Sequence, residues 1–531
     1  MKTQPVKRKR GDDDDDDDDD DGSAIAPIDR LSQLPQPILH NILSLLPQKD
    51  ATRTSVLSKS WRYLWHGRFS LEFRDNLIRL HRKNEFWSFF DNTLQRYLDQ
   101  NLSLQKFLFD IYHHEVDFEL LQKWIPVVIM NMGVKSFNFI FQSTTECKDF
   151  PFPLPLVVFQ SESLVELNLQ GCDLSTLKST DNVMLNNLHT LRLSCVNITD
   201  DIFDKIISSC PLIENLYILF CTGLKSIKLH KHHNIKDFGY SAVRKINIEI
   251  EDPSTLESFH FKNCRSDWIP PFKNMHFPHL KSLKLRRVQL SAETFDYFSS
   301  FFPCLNELIL DSCHGLKEFR LLSSSIKRLT MKVDSTNPGK MMKAFIDTPN
   351  ILYFEYSGVG VLPSITFTTT SNEWQSKISL WNKPDFLKLN KLLKALSQSH
   401  ITLNLFDNVH KKLHINDSYG GFRKPVAVEH LKLWGCLSSS FDAAILNCFF
   451  RICHPRFIHI DLDLYNDVRA KRNLVEYISK LIPDETRYLE EASFEVWDMK
   501  AKEWHCVKET SFPALCCSQQ KIRFQLTWKE Q

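Results

Sequence analysis

The chain has 531 residues, 43% apolar and 24% charged, with 14 Gly and 23 Pro, a balance that excludes a fibrous or wholly disordered polypeptide and predicts a soluble globular protein. Its 66 Lys+Arg against 64 Asp+Glu leave a net charge of +2, and with no basic cluster in the folded part, nucleic-acid binding through phosphate neutralisation has no support. No apolar run reaches the about 18 residues that a membrane-spanning helix requires, so no membrane partner is expected.

Residues 1–28 read as a disordered tail: Lys7, Arg8, Lys9 and Arg10 are followed by ten consecutive aspartates, Asp12 to Asp21, which repel one another and stay solvated. The basic tetrad is a candidate nuclear import signal. Because it runs into aspartates and not into an apolar segment, secretion is not expected, and the 14 cysteines are then expected as reduced thiols in the nucleus or cytoplasm. None forms a Cys-x-x-Cys pair, and Cys448/Cys453 and Cys516/Cys517 lack zinc-knuckle spacing, so no metal site is expected.

Residues 29–65 change character abruptly. Leu34, Ile38, Leu39, Ile42, Leu43 and Leu46 fall on one broad helical stripe, with Pro35 and Pro37 suited to its first turn and Pro47 ending it. Asp50 is placed to cap a second short helix over residues 51–56, and Ser58 a third carrying Trp61, Leu64 and Trp65. Three short helices hold more large apolar groups than they can bury among themselves, and domains below about 40 residues are rarely self-sufficient, so this unit is expected to need a partner. The string from Leu34-Pro35 through Leu46-Pro47, Lys49-Asp50-Ala51, Arg53-Thr54-Ser55-Val56-Leu57-Ser58-Lys59 and Trp61-Arg62 to Leu64-Trp65 resembles an F-box of the kind found in plants. Ser60 departs from that pattern, where Arg is usual. The resemblance implies docking on a Skp-type adaptor and, through it, a cullin scaffold and a ubiquitin-conjugating enzyme. It assigns Leu34, Pro35, Ile38, Leu39, Ile42, Leu43, Val56, Leu57, Trp61 and Leu64 to the helical unit or its adaptor face, two roles the sequence does not separate.

Residues 66–100 carry Phe86, Phe89, Phe90, Leu94, Tyr97 and Leu98 on a helical stripe and read as a joint and cap. From there to about 465, apolar residues recur at positions 1, 4 and 6 of a short window, as in Leu164/Leu167/Leu169, Leu188/Leu191/Leu193, Leu224/Ile227/Leu229 and Leu316/Phe319/Leu321. Positions 4 and 6 share a strand face, and the pattern is the leucine-rich-repeat signature. Starts at 164, 188, 213 and 224 recur at 256, 280, 305 and 316, which marks a duplicated block. Thr199 and Ser291 are placed to cap equivalent helices. Eight positions after the start stands a cysteine in five units (Cys172, Cys221, Cys264, Cys313, Cys436), a site at which the resemblance implies a side chain that satisfies backbone groups in the turn leaving the strand. Residues 334–400 read as looser, with an irregular or inserted loop. Beyond 465, Phe494-Glu-Val-Trp497 and Ile522-Arg-Phe-Gln-Leu-Thr-Trp528 alternate as closing strands.

No Gly-rich phosphate loop and no Gly-x-Ser-x-Gly elbow occurs. His113-His114 and the His230, His232, His233 group lie in polar surroundings and read as solvated surface. The expected fold class is therefore α/β, a small helical F-box followed by a leucine-rich-repeat solenoid, with neither active site nor cofactor. The expected function is substrate recognition in an SCF-type ubiquitin ligase, the concave face of the array binding an unknown protein. The alternatives are a non-catalytic scaffold that sequesters the adaptor, and a small-molecule sensor within the array.

Overall fold

The structure is a computed structural model. It describes scattered residues between 34 and 61, then 70–74, 83–112, 116–142, 152–229, 234–242, 246–263, 276–334, 343–359, 362–381, 385–407, 424–435, 443–461, 489–498, 501–507 and 522–529, apart from a few single positions within these ranges. The tail, Leu64 and the His113-His114 and His230–His233 groups lie outside the described residues. The chain folds as two units, residues 1–71 and 72–531.

In the first unit a helical turn opens at Pro35, whose carbonyl accepts from the amides of Ile38 (2.9 Å) and Leu39 (3.2 Å). Proline suits this place because the N–H it lacks would have no intrahelical acceptor there. Leu39, Leu43 and Trp61 form the core, with Leu34, Ile42 and Leu46 packed against it.

The second unit is organised by one sheet of 19 strands among the described residues. In chain order its first strands are β1 (Ser70–Arg74), β2 (Lys106–Tyr112), β3 (Ser136–Gln142), β4 (Glu166–Gln170), β5 (Thr190–Ser194) and β6 (Asn215–Leu219). There follow β7 (Asp237–Ala242), β8 (Ser258–Asn263), β9 (Ser282–Arg286), β10 (Glu307–Asp311), β11 (Arg328–Val333) and β12 (Tyr353–Val359). The last are β13 (Gln375–Trp381), β14 (His400–Asp407), β15 (Val426–Gly435), β16 (Cys453–Asp461), β17 (Leu489–Asp498), β18 (Glu503–Val507) and β19 (Ile522–Trp528). From β2 to β16 each strand pairs in parallel with the next, so equivalent side chains stack in rows. One row runs Leu167, Leu191, Leu216, Phe238, Phe259, Leu283, Leu308, all at most 2% exposed. Where the row is aromatic the rings stack, Phe238 on Phe259 at 5.6 Å and Phe107 on Phe137 at 5.5 Å. β16 then receives β19 in antiparallel fashion, and β17 and β18 complete the sheet.

Helix α1 (Lys83–Asp99) lies at the start of this sheet. It buries Phe86, Trp87, Phe90, Leu94 and Tyr97, with Phe90 against Phe73 (4.7 Å) and Phe109 (5.8 Å). Phe89 and Leu98 of the expected stripe are exposed instead, 42% and 37%. Helix α2 (Phe118–Asn131), capped by Asp117 through the amide of Leu120 (3.1 Å), buries Leu121, Trp124, Ile125, Val128 and Ile129. Trp124 Nε1 donates to Asp91 on α1 at 2.6 Å; Lys123, then this bond, holds the Asp91 carboxyl below its usual range.

The duplicated block is present in the backbone itself. Left-handed residues recur 92 positions apart: Cys195 and Arg287, Phe220 and Ser312, Gly223 and Gly315. At Gly223 and Gly315 a Cβ would stand 2.5 Å from Ile198 O and 2.2 Å from Leu290 O, so glycine is required by contact as well as by φ. Thiols follow the same spacing, Cys221 Sγ lying 3.5 Å from Leu193 O and Cys313 Sγ 3.3 Å from Leu285 O. These two, and Cys172 near Gln170 O (3.6 Å), engage carbonyls at the ends of strands and not those of the turn itself; Cys264 and Cys436 lie outside the described residues.

Four expectations need correction. The triples starting at Leu224 and Leu316 are not on the long sheet: Ser226–Leu229 pairs with Asn247–Ile250, and Glu318–Leu322 opens a second parallel sheet with Lys343–Asp347 and Ser364–Thr368. Period-2 spacing reports a buried face and does not say in which sheet. The described residues of 334–400 supply β12, β13, two of these outer strands and helix α4 (Phe386–Ala395). The leucine pattern fails there because Ser376 takes the core position beside Phe354, 1% exposed, its hydroxyl bonded to Ser399 Oγ at 2.6 Å. Helix α3 (Asp200–Ser208) buries Ile202, Phe203, Ile206 and Ile207, but Thr199 makes no side-chain cap; Asp200 instead accepts from Lys225 N (2.7 Å) and Ser226 Oγ (3.2 Å). Lastly, Cys195 is disulfide-bonded, whereas the other described cysteines are free as expected.

Candidate functional site

Two surfaces follow from this architecture. On the first unit, the structure divides nine of the ten motif positions that the sequence left together, Leu64 lying outside the described residues. Leu39, Leu43 and Trp61 are 2%, 1% and 1% exposed and hold the unit closed, while Ile38 is 46%, Leu57 56% and Val56 84% exposed. Leu34 and Ile42 are half-buried against the core, and Pro35 is exposed. Val56 and Leu57 are held in a turn, their amides donating to Arg53 O (3.4 Å) and Thr54 O (3.0 Å), while Arg53 pairs with Asp50 at 3.2 Å. The apolar side chains turned to solvent are thus fixed by backbone bonds and a core that does not include them.

The second surface is the open face of the long sheet. In each strand the residues between the buried pair point away from the core and carry the polar groups. At β3 and β4, Asn168 Nδ2 donates to Asn138 Oδ1 (3.2 Å) and Ser136 Oγ to Glu166 (2.8 Å). In the middle, the Arg192 guanidinium sits 4.5 Å above the Tyr217 ring, and the Tyr217 hydroxyl bonds Asp237. Tyr217 can lie flat because its neighbour is Gly239, where a Cβ would stand 2.3 Å from the ring. Burial, and next the Asp237 bond, push the Tyr217 hydroxyl up to about 12. Farther on, Glu307 is shared by Lys284 (3.7 Å) and Arg328 (3.8 Å), and Arg286 pairs with Asp311 at 3.0 Å.

Toward β16 the open face becomes aromatic. Trp381, Phe406 and Trp434 are aligned across β13, β14 and β15 and stack at 4.1 Å and 5.8 Å. The two tryptophans are 39% and 37% exposed. Farther down the same strands, His430 Nδ1 and His459 Nε2 are 3.1 Å apart, and Arg523 pairs with Glu495 between the rings of Phe457 (4.8 Å) and Trp504 (4.5 Å). Sequence reasoning did not single out these residues; the available signal was a large aromatic in the polar phase of a strand, as in Leu380-Trp381 and Leu433-Trp434. A cavity of about 720 Å³ at the opposite edge is lined by His400, Lys424, His454, Arg456, Trp528 and Lys529. His454 stacks on Trp528 at 4.0 Å, and burial holds its imidazole down to about 4.

Among the described residues no group of His, Cys, Asp or Glu is placed to hold a metal ion, and no helix is long and apolar enough to cross a membrane. Burial pushes the thiols of Cys221 and Cys313 up to about 12, far from nucleophilic cysteine.

Comparison with known proteins matches both parts of the chain. The F-box domain family model matches residues 31–71, and a model described as FBD-associated F-box protein At5g56370, LRR repeats, matches residues 121–266 and 249–350. Three relatives come from Arabidopsis thaliana. F-box/LRR-repeat protein At3g59200 is 33% identical over 249 residues, 42% of this chain and 46% of that protein. Putative F-box protein At1g49610 is 30% identical over 308 residues, 57% and 67% of the two chains. F-box/LRR-repeat protein 25 is 28% identical over 265 residues, 49% and 86%. The match thus spans about half the length of At3g59200 and two thirds or more of the other two. With an F-box at its first unit and a stack of parallel repeats in its second, the chain belongs to the F-box/LRR-repeat family.

Proposed function

We propose that this protein is the substrate-recognition subunit of an SCF-type ubiquitin ligase. Its F-box docks on a Skp-type adaptor, which links it to a cullin scaffold, and the open face of the repeats holds a target protein. The supporting observation is the division within the F-box. An apolar group that is exposed while its neighbours close a core gains free energy only when another surface covers it. In this reading the chain itself is non-catalytic. Holding a target beside the conjugating enzyme makes ubiquitin transfer effectively intramolecular, which raises its rate without an active site on this chain.

Co-expression with a Skp-type adaptor tests the first half. A complex that survives size-exclusion chromatography at micromolar concentration is expected, and a chain that stays alone refutes the assignment. A second reading, a sensor holding a small molecule within the array, draws support from the cavity around His454 and Trp528. A nuclear or cytoplasmic location is proposed on Lys7–Arg10, and replacing those four residues by Ala in a fluorescent fusion tests the nuclear part.

A further inference from the structure

Lys432 stands on β15 two residues before Trp434 and beside Asn404 and His459 of the flanking strands. Neighbouring charges on this part of the sheet are compensated: Lys377 by Glu355 (3.3 Å), Arg456 by Glu429 (3.1 Å), and Arg523 by Glu495. Lys432 has no carboxylate partner among the described residues. Burial, then the proximity of Lys377, lowers its pKa from the ordinary lysine value. His430 and His459 cannot compensate it, since an imidazole is neutral or cationic; burial lowers the pKa of both, His459 to about 3, so they stay neutral beside it. A half-buried ammonium with no counter-ion is disfavoured unless an anion arrives. Directly beside it, Trp381, Phe406 and Trp434 offer a stacked, part-exposed aromatic shelf, the side-chain type that dominates binding energy at protein interfaces.

We infer that this corner of the open face is the docking subsite for an acidic peptide segment of the target, an apolar side chain lying on the Trp381–Phe406–Trp434 shelf and an adjacent Asp or Glu carboxylate meeting Lys432. The inference deepens the proposed recognition role and rests on it. A protein segment fits better than a nucleic acid strand, because strand binding needs a track of cations along the phosphates, whereas the cations around Lys432 already face Glu355, Glu429 and Glu495.

The test is selection of a random peptide library on the immobilised full-length protein and on its Lys432→Glu and Trp434→Ser variants. Wild type is expected to enrich peptides with Asp or Glu within two positions of Trp, Phe or Leu. Lys432→Glu should exchange the acid for Lys or Arg, and Trp434→Ser should lose the apolar preference. By fluorescence anisotropy, the wild-type consensus peptide should bind Lys432→Glu at least about tenfold more weakly. The charge exchange is a readout that a merely misfolded variant cannot give. No enrichment, a consensus without acids, or one unchanged by Lys432→Glu overturns the inference, as does displacement of the peptide by single-stranded RNA. Adaptor binding is measured on the same preparations: its failure sinks the ligase reading alone, and failure of the peptide selection with adaptor bound sinks only this subsite.

Discussion

Replacing Val56 and Leu57 together by Asp separates the two roles within the F-box. Fully burying a Val or Leu side chain is worth about 1.5–3 kcal/mol. Scaled by exposures of 84% and 56%, Val56 offers a covering partner about 1.3–2.5 kcal/mol and Leu57 about 0.8–1.7 kcal/mol. The double variant should therefore bind a Skp-type adaptor about 2–4 kcal/mol more weakly, roughly thirtyfold to several hundredfold in Kd. Because neither side chain belongs to the core, the free chain should keep its melting behaviour, as exposed substitutions usually stay within about 0.5 kcal/mol. Trp61→Ala is the counter-experiment: it removes a side chain 1% exposed, with an expected loss of about 3–5 kcal/mol in folding stability. Titration calorimetry against the purified adaptor, with thermal unfolding of the free chain followed by circular dichroism, reads both quantities. Unchanged adaptor affinity in the double variant, or a double variant as destabilised as Trp61→Ala, refutes the division.

Other outcomes follow from the repeats. Gly223→Ala and Gly315→Ala should each cost about 1–3 kcal/mol, since each forces a side chain into a left-handed turn and onto a carbonyl oxygen; similar losses in denaturant unfolding would show that the two copies of the block share the requirement. In native protein at pH 8, iodoacetamide should label the exposed Cys304 and Cys506 well before Cys221 and Cys313, whose pKa of about 12 leaves almost no thiolate; mass spectrometry gives the order. The imidazole of His454 is depressed to about 4 from an unfolded value of about 6.5. Between those values the unfolded chain binds a proton that the folded chain refuses, so stability is present above about pH 6.5 and is lost as pH falls toward 4. The melting temperature should drop from pH 7 to pH 5, and by less in His454→Asn.

The leucine phase made most of the sheet readable in advance: wherever Leu, Ile or Phe occupies positions 4 and 6, as at Leu167/Leu169 or Leu308/Leu310, a strand stands with those side chains inside. β13 departs from that phase for a chemical reason: a serine takes the core place because another serine answers its hydroxyl. β7 keeps the phase, with Ile235, Phe238 and Tyr240 at positions 1, 4 and 6, its aromatic side chains standing where leucine is usual. The outer strands were assigned to the wrong sheet because alternation carries no information about the partner. The F-box was recognisable as a string, yet its helical stripe contains Ile38 beside Leu39, one exposed and one buried, and only tertiary packing distinguishes them. The aromatic shelf was hidden for a related reason. Trp381 and Trp434 follow inward leucines directly, so an apolar run conceals which residue faces out.

The 92-residue repeat of left-handed turns means that the stretch from Glu166 to Glu257 begins and ends in the same structural phase. Excising it would bring Ser258 to where Glu166 now pairs with Ser136, and copying it once more would add another quartet of strands with their outer elements in step. A gene built this way can lengthen or shorten the open face of its sheet by unequal crossing-over without breaking the stack, so that face can change by whole panels while the F-box is left untouched.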